Sequence, residues 1–311
     1  MPTRIPPELN PIMATTTSLT TTYAGKYAGQ YIKAAFLANE SLQHVTVKEN
    51  IDYKQVVKKL VDNITFEAPT CDFTPLGTVT ITERTLTLEK FQVQRNLCKN
   101  TFLADWGAEF VQDGELEPAL AETLIANMLE GIAAKNEEIL WTGANATTGE
   151  YDGLLTLMNA GGSGVNFVAS PVAIDSTNVI AKIALTVADC PTAVKRSTEK
   201  PVIYVAQNVW EAFMQASAAA GNGWYTYGGP EMPKSYLGYQ MAICPGMPDD
   251  TIVMAQKSNL WFGTNILGDW NNIQVVDMGQ FAEDNVRFSA KFYAGCQFGI
   301  GNEIAAYGTW F

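Results

Sequence analysis

The chain has 311 residues, of which 47% are apolar and 17% charged, and its 20 Lys and Arg against 32 Asp and Glu give a formal net charge of -12. That is enough apolar material for one large domain or two smaller ones with a sizeable core, and it excludes a disordered chain. The acidic balance excludes a surface given over to nucleic acid, because phosphate contact draws on clustered Lys and Arg. No window reaches the ~18 consecutive apolar residues of a membrane span, and the first residues lack the apolar centre of a signal peptide. The expectation is therefore a protein made and kept in a cytosol, with no membrane contact. Cys71, Cys98, Cys190, Cys244 and Cys296 lie far apart with no CxxC pair. An odd count argues against a disulfide framework, and small buried apolar side chains are expected instead.

Charge is unevenly spread. Residues 1–60 carry Arg4, Lys26, Lys33, Lys48, Lys54, Lys58 and Lys59 against Glu8, Glu40, Glu49 and Asp52, so the acidity belongs to the remainder. The Pro- and Thr-rich start cannot bury anything by itself and reads as an extended arm, ordered by contact with an acidic neighbour or a polyanion. Tyr23, Tyr27 and Tyr31 then recur at helical spacing in YAGKYAGQYIKAAFLAN. They predict a short helix with an aromatic seam, packed either within the chain or against a neighbouring subunit. IDYKQVVKKLVDN predicts a second short helix on which Lys54, Lys58 and Lys59 stay solvated.

From residue 63 onward Thr, Val and Ile alternate through ITFEAPTCDFTPLGTVTITERTLTLEKFQVQRNLC, the pattern of a long extended hairpin. Its apolar faces are thin, and a two-stranded ribbon is marginal in water, so it should lean on other structure or on another chain. Glu83, Arg84, Glu89 and Lys90 are candidates for ion pairs between subunits, or for a solvated strand face. A long helix over 118–141 follows, with Pro118 in its first turn and Gly143 beyond its end. Leu124, Ile125, Met128, Leu129, Ile132 and Ile139 form its apolar stripe, and Glu122, Asn127, Glu130 and Glu137 its polar face. At 1.5 Å per residue it spans roughly 36 Å.

Residues 142–170 are rich in Gly, Asn and Ser and read as a connection. Asp175 or Ser176 could cap a helix through Val179, Ile183 and Val187 that Pro191 terminates. PVIYVAQ then predicts a buried strand, and NVWEAFMQASAAAG, with Asn208 as cap, a helix directly after it, which together argue for a mixed α/β region. Strands are expected at 240–244 and 251–255, and three more after residue 272, the second alternating Val286, Phe288 and Ala290 with Arg287, Ser289 and Lys291.

In this order the chain resembles the major capsid protein of tailed bacteriophages, whose fold is shared with the floor of herpesvirus capsids. The strings that carry the likeness are VIYVAQNVWEAFMQ, LGYQMAICPGMPDDTIVMAQKSNLWFG and NVRFSAKFYAGCQFGIGNEIAAY. The ribbon string CDFTPLGTVTITERTLTLEKFQV is similar to that of crAss-like phages of gut bacteria. The resemblance implies an α+β fold with an N-terminal arm at 1–60, an extended E-loop ribbon and a peripheral domain with a spine helix at 61–141. It further implies an α/β axial domain at 142–269 and peripheral return strands at 270–311. The implied function is a structural one, self-assembly into an icosahedral shell of hexamers and pentamers enclosing double-stranded phage DNA, assembled in the host bacterial cytoplasm and ending in the virion capsid. Implied partners are further copies of the chain, a separate scaffolding protein, a portal, decoration proteins, and packaged DNA touched non-specifically through Lys54, Lys58 and Lys59. The aromatic seam and the four charged ribbon residues become contacts between subunits. Some relatives crosslink a ribbon Lys to a neighbour's Asn, and Lys90 and Asn302 with Glu303 have those residue types.

Enzyme readings find little. His44 is the sole histidine, so a two-histidine zinc site within one chain is excluded and a histidine triad nearly so. No GxxxxGK[ST] loop occurs, and GIGNEI lacks the third glycine of a dinucleotide loop. Neither a catalytic residue nor a cofactor is expected. The alternative is a carbohydrate- or surface-binding module built on Trp224, Tyr225, Tyr227, Tyr236 and Tyr239 within 224–239.

Overall fold

The computed structural model describes residues 40–51, 53–62, 79–98, 118–147, 149–222, 234–265, 273–281, 283 and 285–311. Tyr23, Tyr27, Tyr31, Cys71, Trp224, Tyr225 and Tyr227 lie outside that set. In chain order, a one-turn helix α1 (Glu40–Gln43) leads to β1 (Thr46–Lys48), followed by β2 (Lys54–Asp62), β3 (Val79–Thr87) and β4 (Glu89–Cys98). The long helix α2 (Pro118–Thr142) is followed by α3 (Leu154–Asn159), β5 (Asn166–Phe167), α4 (Val179–Asp189), α5 (Thr192–Arg196), β6 (Val202–Val205) and α6 (Gln207–Ser217). The chain closes with β7 (Ser235–Tyr236), β8 (Tyr239–Ile243), β9 (Ile252–Ala255), β10 (Leu260–Thr264), β11 (Ile273–Asp277), β12 (Asn285–Phe298) and β13 (Ala305–Tyr307).

Among the described residues the strands form three sheets. The first is centred on β12, whose 14 residues pair antiparallel with β4 along Asn285 to Ala294, with β11 along Val286 to Ala290 on the opposite edge, and with β10 at the C-terminal end. Parallel β1 adds to β10. Alternation on β12 is as read from the sequence: Val286, Phe288, Ala290 and Phe292 are buried, Arg287 and Lys291 exposed, and Ala294, Gly295 and Cys296 enclosed on both faces. The second sheet has the order β5-β13-β9-β6-β8-β7, with β6 buried at every position. That is the continuous apolar pattern of a central strand covered on both sides. The third is the two-stranded ribbon β2-β3.

The ribbon corrects two expectations. Residues 54–62 form a strand rather than a helix, because β-branched Val56, Val57 and Val61 suit an extended backbone and all nine residues of β2 find partners in β3. The hairpin expected from residue 63 onward is not formed between β3 and β4: β3 pairs back onto β2, and β4 departs to pair with β12. Glu89 and Lys90 therefore sit in the first sheet and not on the ribbon. A third correction is α3, a six-residue helix inside the stretch read as a connection, with Leu154, Leu155 and Met158 buried. A fourth is the cap of α6, where Ala206 stands at the N-cap and Asn208 instead ties the Asp250 loop, donating through Nδ2 to Asp250 Oδ1 at 3.0 Å and accepting from the Asp250 N–H at 3.2 Å. Asp175 gathers the turn before α4, its Oδ1 accepting from the N–H groups of Thr177 and Asn178, while Asn178 stands at the N-cap.

One hydrophobic cluster joins both large sheets and the helices, running from Leu42 and Phe91 through Trp141, Leu155 and Tyr204 to Phe262 and Phe298. The implied division at 269/270 does not follow the sheets. β10, which precedes it, pairs with β12 in the first sheet, while β13, which follows it, pairs with β9 in the second.

Candidate functional site

Two places carry side chains whose arrangement goes beyond packing: the root of the ribbon and the C-terminal end of α2.

At the root, Leu86 and Leu88 are buried with Ile51 in a small cluster that Tyr293 borders. The backbone of β12 must come close here. A Cβ on Gly295 would stand 2.3 Å from the Thr87 carbonyl oxygen, so only glycine fits. Gln297 Nε2 donates to the Thr85 carbonyl at 3.2 Å, and the Leu88 N–H to the Tyr53 carbonyl at 3.0 Å. Arg84 completes the attachment. Its guanidinium lies 4.2 Å above the Phe298 ring and donates to the Ser163 carbonyl at 3.1 Å, and partial burial lowers its pKa from the usual arginine value. Arg84 is thus engaged by its own chain.

Directly opposed residues of an antiparallel pair share a face. Lys58 stands opposite Glu83 in the ladder, one residue on from Arg84 and hence on the face turned away from the body. The two form an ion pair of 2.7 Å between side chains 62% and 53% exposed. Val56 and Ile81, even-step neighbours on that same face, are 51% and 58% exposed. The outward face thus alternates exposed apolar residues with a self-neutralised pair, and Lys58 is not a free cation. Lys54 is exposed and lies 5.2 Å over the Tyr53 ring, and Lys59 stands opposite Thr82 in the ladder. Lys90, on β4, lies 5.4 Å over the Tyr293 ring. Glu89 borders a cavity of about 220 Å³ beside the root, with Thr85, Thr87, Tyr151, Asp152 and Cys296 among its walls.

At the end of α2, the sequence pattern put Glu137 on a solvated face, and the structure overturns that reading. Glu137 is 7% exposed because α1 and the turn 244–247 close over the last turns of the helix. A Cβ on Gly246 would stand 2.2 Å from the Glu137 carbonyl oxygen, which shows how tightly that turn is seated. Fully buried Ser41 donates its hydroxyl to Glu137 Oε1 and accepts from Trp141 Nε1 at 2.9 Å. Next to it Tyr151 donates to Asn136 Oδ1 at 2.9 Å, and Tyr204 donates to the His44 carbonyl at 2.5 Å. Burial raises the Glu137 pKa; the Ser41 hydroxyl and the main-chain N–H groups of Gly246 and Ser41 pull partly back, and Glu40 adds to the rise. His44 is half-buried, and its pKa is lowered by burial and by Lys257 and Lys234. Sequence reasoning missed Ser41 and Trp141 as partners because 100 residues separate them.

Two other carboxylates are held in local bonds. Glu138 is exposed and bonded to Lys135 at 3.0 Å, and Asp250 Oδ1 accepts from the Ile174 N–H at 2.9 Å. Among the described residues no group of three or more His, Cys, Asp or Glu could hold a metal ion, and no helix is long and apolar enough to cross a membrane. Cys190, Cys244 and Cys296 are free and buried, and Cys98 is free and exposed. Of the aromatic stretch, Tyr236 meets Phe213 edge-on at 6.2 Å, and both Tyr236 and Tyr239 pack on the main core.

No family model and no curated protein matches the sequence. Solved structures do match in fold. The capsid of a native GTA particle is 17% identical, with a TM-score of 0.57 over 87% of this chain and 88% of that one. The procapsid of satellite phage P4, which includes a size determination protein, is 10% identical, with a TM-score of 0.54 over 90% and 98%. The virus-like particle from Pyrococcus furiosus is 8% identical, with a TM-score of 0.51 over 89% and 98%. From the short helix α1 to the closing strand β13, this chain has the phage capsid fold.

Proposed function

We propose that this chain is a structural shell protein, many copies of which assemble as hexamers and pentamers into a closed icosahedral capsid. The observation that carries the reading is the fold shared with capsid chains over nearly the whole length of both partners. The ribbon adds support: a shell subunit places weakly self-supporting segments on its neighbours, and the outward face with Val56 and Ile81 offers them apolar area.

In this proposal the enclosed cargo is double-stranded phage DNA, and assembly takes place in the host bacterial cytoplasm with a separate scaffolding protein, a portal and decoration proteins. Tyr23, Tyr27 and Tyr31 and the outward face of the ribbon contact other copies, while Lys54 and Lys59 are the better candidates for loose DNA contact, since Lys58 is paired. The division into arm, peripheral and axial regions at 60, 141 and 269 remains part of the proposal, and placement beside crAss-like phages rests on the ribbon string alone. Electron microscopy of the purified full chain tests the reading. Closed shells or rings of subunits are expected; a small particle of fixed mass that binds a ligand saturably contradicts it.

A further inference from the structure

The end of α2 holds a feature that neither packing nor shell assembly accounts for. Glu137 is a nearly enclosed carboxyl whose Oε2 has no hydrogen-bond partner, while its other oxygen accepts from Ser41. Buried charge is tolerated when a cation or several donors meet it. Here three donors reach the carboxyl, the Ser41 hydroxyl and the main-chain N–H groups of Ser41 and Gly246, and they offset its burial only in part. From α1 come Glu40, of like sign, and the Ser41 hydroxyl; from the turn after β8 come the Gly246 N–H and the Cys244 thiol, itself fully buried; from the segment after α2 comes the Tyr151 phenol. On α2 itself, Lys135 is turned to solvent and held by Glu138 and Glu150. His44 on the α1 side feels Lys257 and Lys234, and Lys257 donates to the Gln43 carbonyl at 2.7 Å. Among the described residues the charged group acting on Glu137 is Glu40, of like sign.

The segment held at this point is the first described part of the chain. Besides Ser41, residues 40–48 are secured by buried Leu42 and Val45, the three-residue pairing of β1 with β10, and the Tyr204 and Lys257 bonds to main-chain carbonyls.

We propose that Glu137 and Ser41 form a proton-operated latch, in which the neutral carboxyl seats residues 40–48 on the end of α2 and ionisation of the carboxyl loosens them. The direction follows from the environment. Burial raises the carboxyl pKa in the seated form above its ordinary value of 4.5, which it regains when the segment lifts and water reaches it. Seating is therefore at full strength below the ordinary value, weakens as pH climbs from there through the raised value, and levels off above it. Within that window the ratio of seated to loosened chains falls about tenfold per pH unit, the slope of one proton. The latch belongs to the fold of the single chain and does not depend on shell formation.

Hydrogen exchange read by mass spectrometry on the full chain tests this, following the amides of residues 41–48 from about pH 4, below the ordinary carboxyl value, to about pH 9, after correction for the intrinsic pH dependence of exchange. Protection of this segment in the wild type falls by up to about tenfold per pH unit and then flattens, while β6 amides stay unchanged. In Glu137→Gln, which keeps the shape and cannot ionise, the segment's protection is flat. An equal slope in Glu137→Gln and wild type overturns the proposal. So does a wild-type segment whose protection is flat across the range, a result that stands even if the variant fails to fold.

Discussion

Replacing Arg84 by Met keeps an unbranched apolar stem over Phe298 and removes the guanidinium, which isolates what the charge contributes at the ribbon root. The stack at 4.2 Å is of the kind worth about 0.5–2 kcal/mol, and a hydrogen bond from a charged donor to a carbonyl, here 3.1 Å to Ser163, about 1.5–3 kcal/mol. Freeing the side chain returns about 1–2 kcal/mol of rotamer entropy, and Met keeps part of the apolar contact. The net loss should be about 1–2 kcal/mol, or roughly a 5- to 30-fold rise in the population with the root undocked. Amide exchange at residues 84–88 should speed up by that factor, with the second sheet unaffected. Arg84→Lys should lose most of the same stabilisation, because an ammonium cannot stack as a plane. Unchanged exchange at 84–88 in Arg84→Met would refute the idea that this residue holds the ribbon to its own body, and would return it to the list of contacts between copies.

Three further outcomes follow from the same geometry. Lys58→Glu should change the stability of the isolated chain by less than about 1 kcal/mol, since its pair with Glu83 is exposed, yet lower particle yield in electron micrographs; the exchange Lys58→Glu with Glu83→Lys should restore it. Gly295→Ala should destabilise by about 1–3 kcal/mol in a denaturant titration, the usual cost of forcing atoms into a filled space, because its Cβ meets the Thr87 carbonyl. In a Cys71→Ser background, a thiol reagent should label Cys98 in the native chain, and Cys190, Cys244 and Cys296 only on unfolding; burial raises the pKa of each of those three and withholds the reactive thiolate. Quick native labelling at Cys244 would show that the end of α2 opens more readily than its packing implies.

What the sequence revealed and what it hid divide along a physical line. The alternation of Val286, Phe288 and Ala290, the apolar run VIYV and the long stripe of α2 are local patterns set by one buried face, and each became the expected element. Residues 54–62 misled because a Lys pair beside valines fits either an amphipathic turn or a strand, and the deciding partner, β3, lies beyond a further stretch of chain. Strand partnership is not encoded locally, so β4 could be read as an extended segment but not as a neighbour of β12. Glu137 misled for a related reason: a helix face is polar or buried according to what lies on it, and α1 and the turn at 244–247 arrive from opposite ends of the chain. The ribbon was expected to need support from elsewhere, and its root found part of it in Gly295 and Phe298.

The position of β12 bears on how the molecule is made. Its residues supply the middle of one sheet, the floor beneath Leu86 and Leu88, and the lead into β13, which closes the other sheet against β9. During translation β4 and β11 wait for β12 and β5 waits for β13, while β9 and β10 each keep one edge open until those strands are released. Completion of the first sheet is therefore held back until residues 285–298 have left the exit tunnel, and nascent chains earlier than that expose the open edges of β4, β10 and β11, for which a chaperone is the natural guardian.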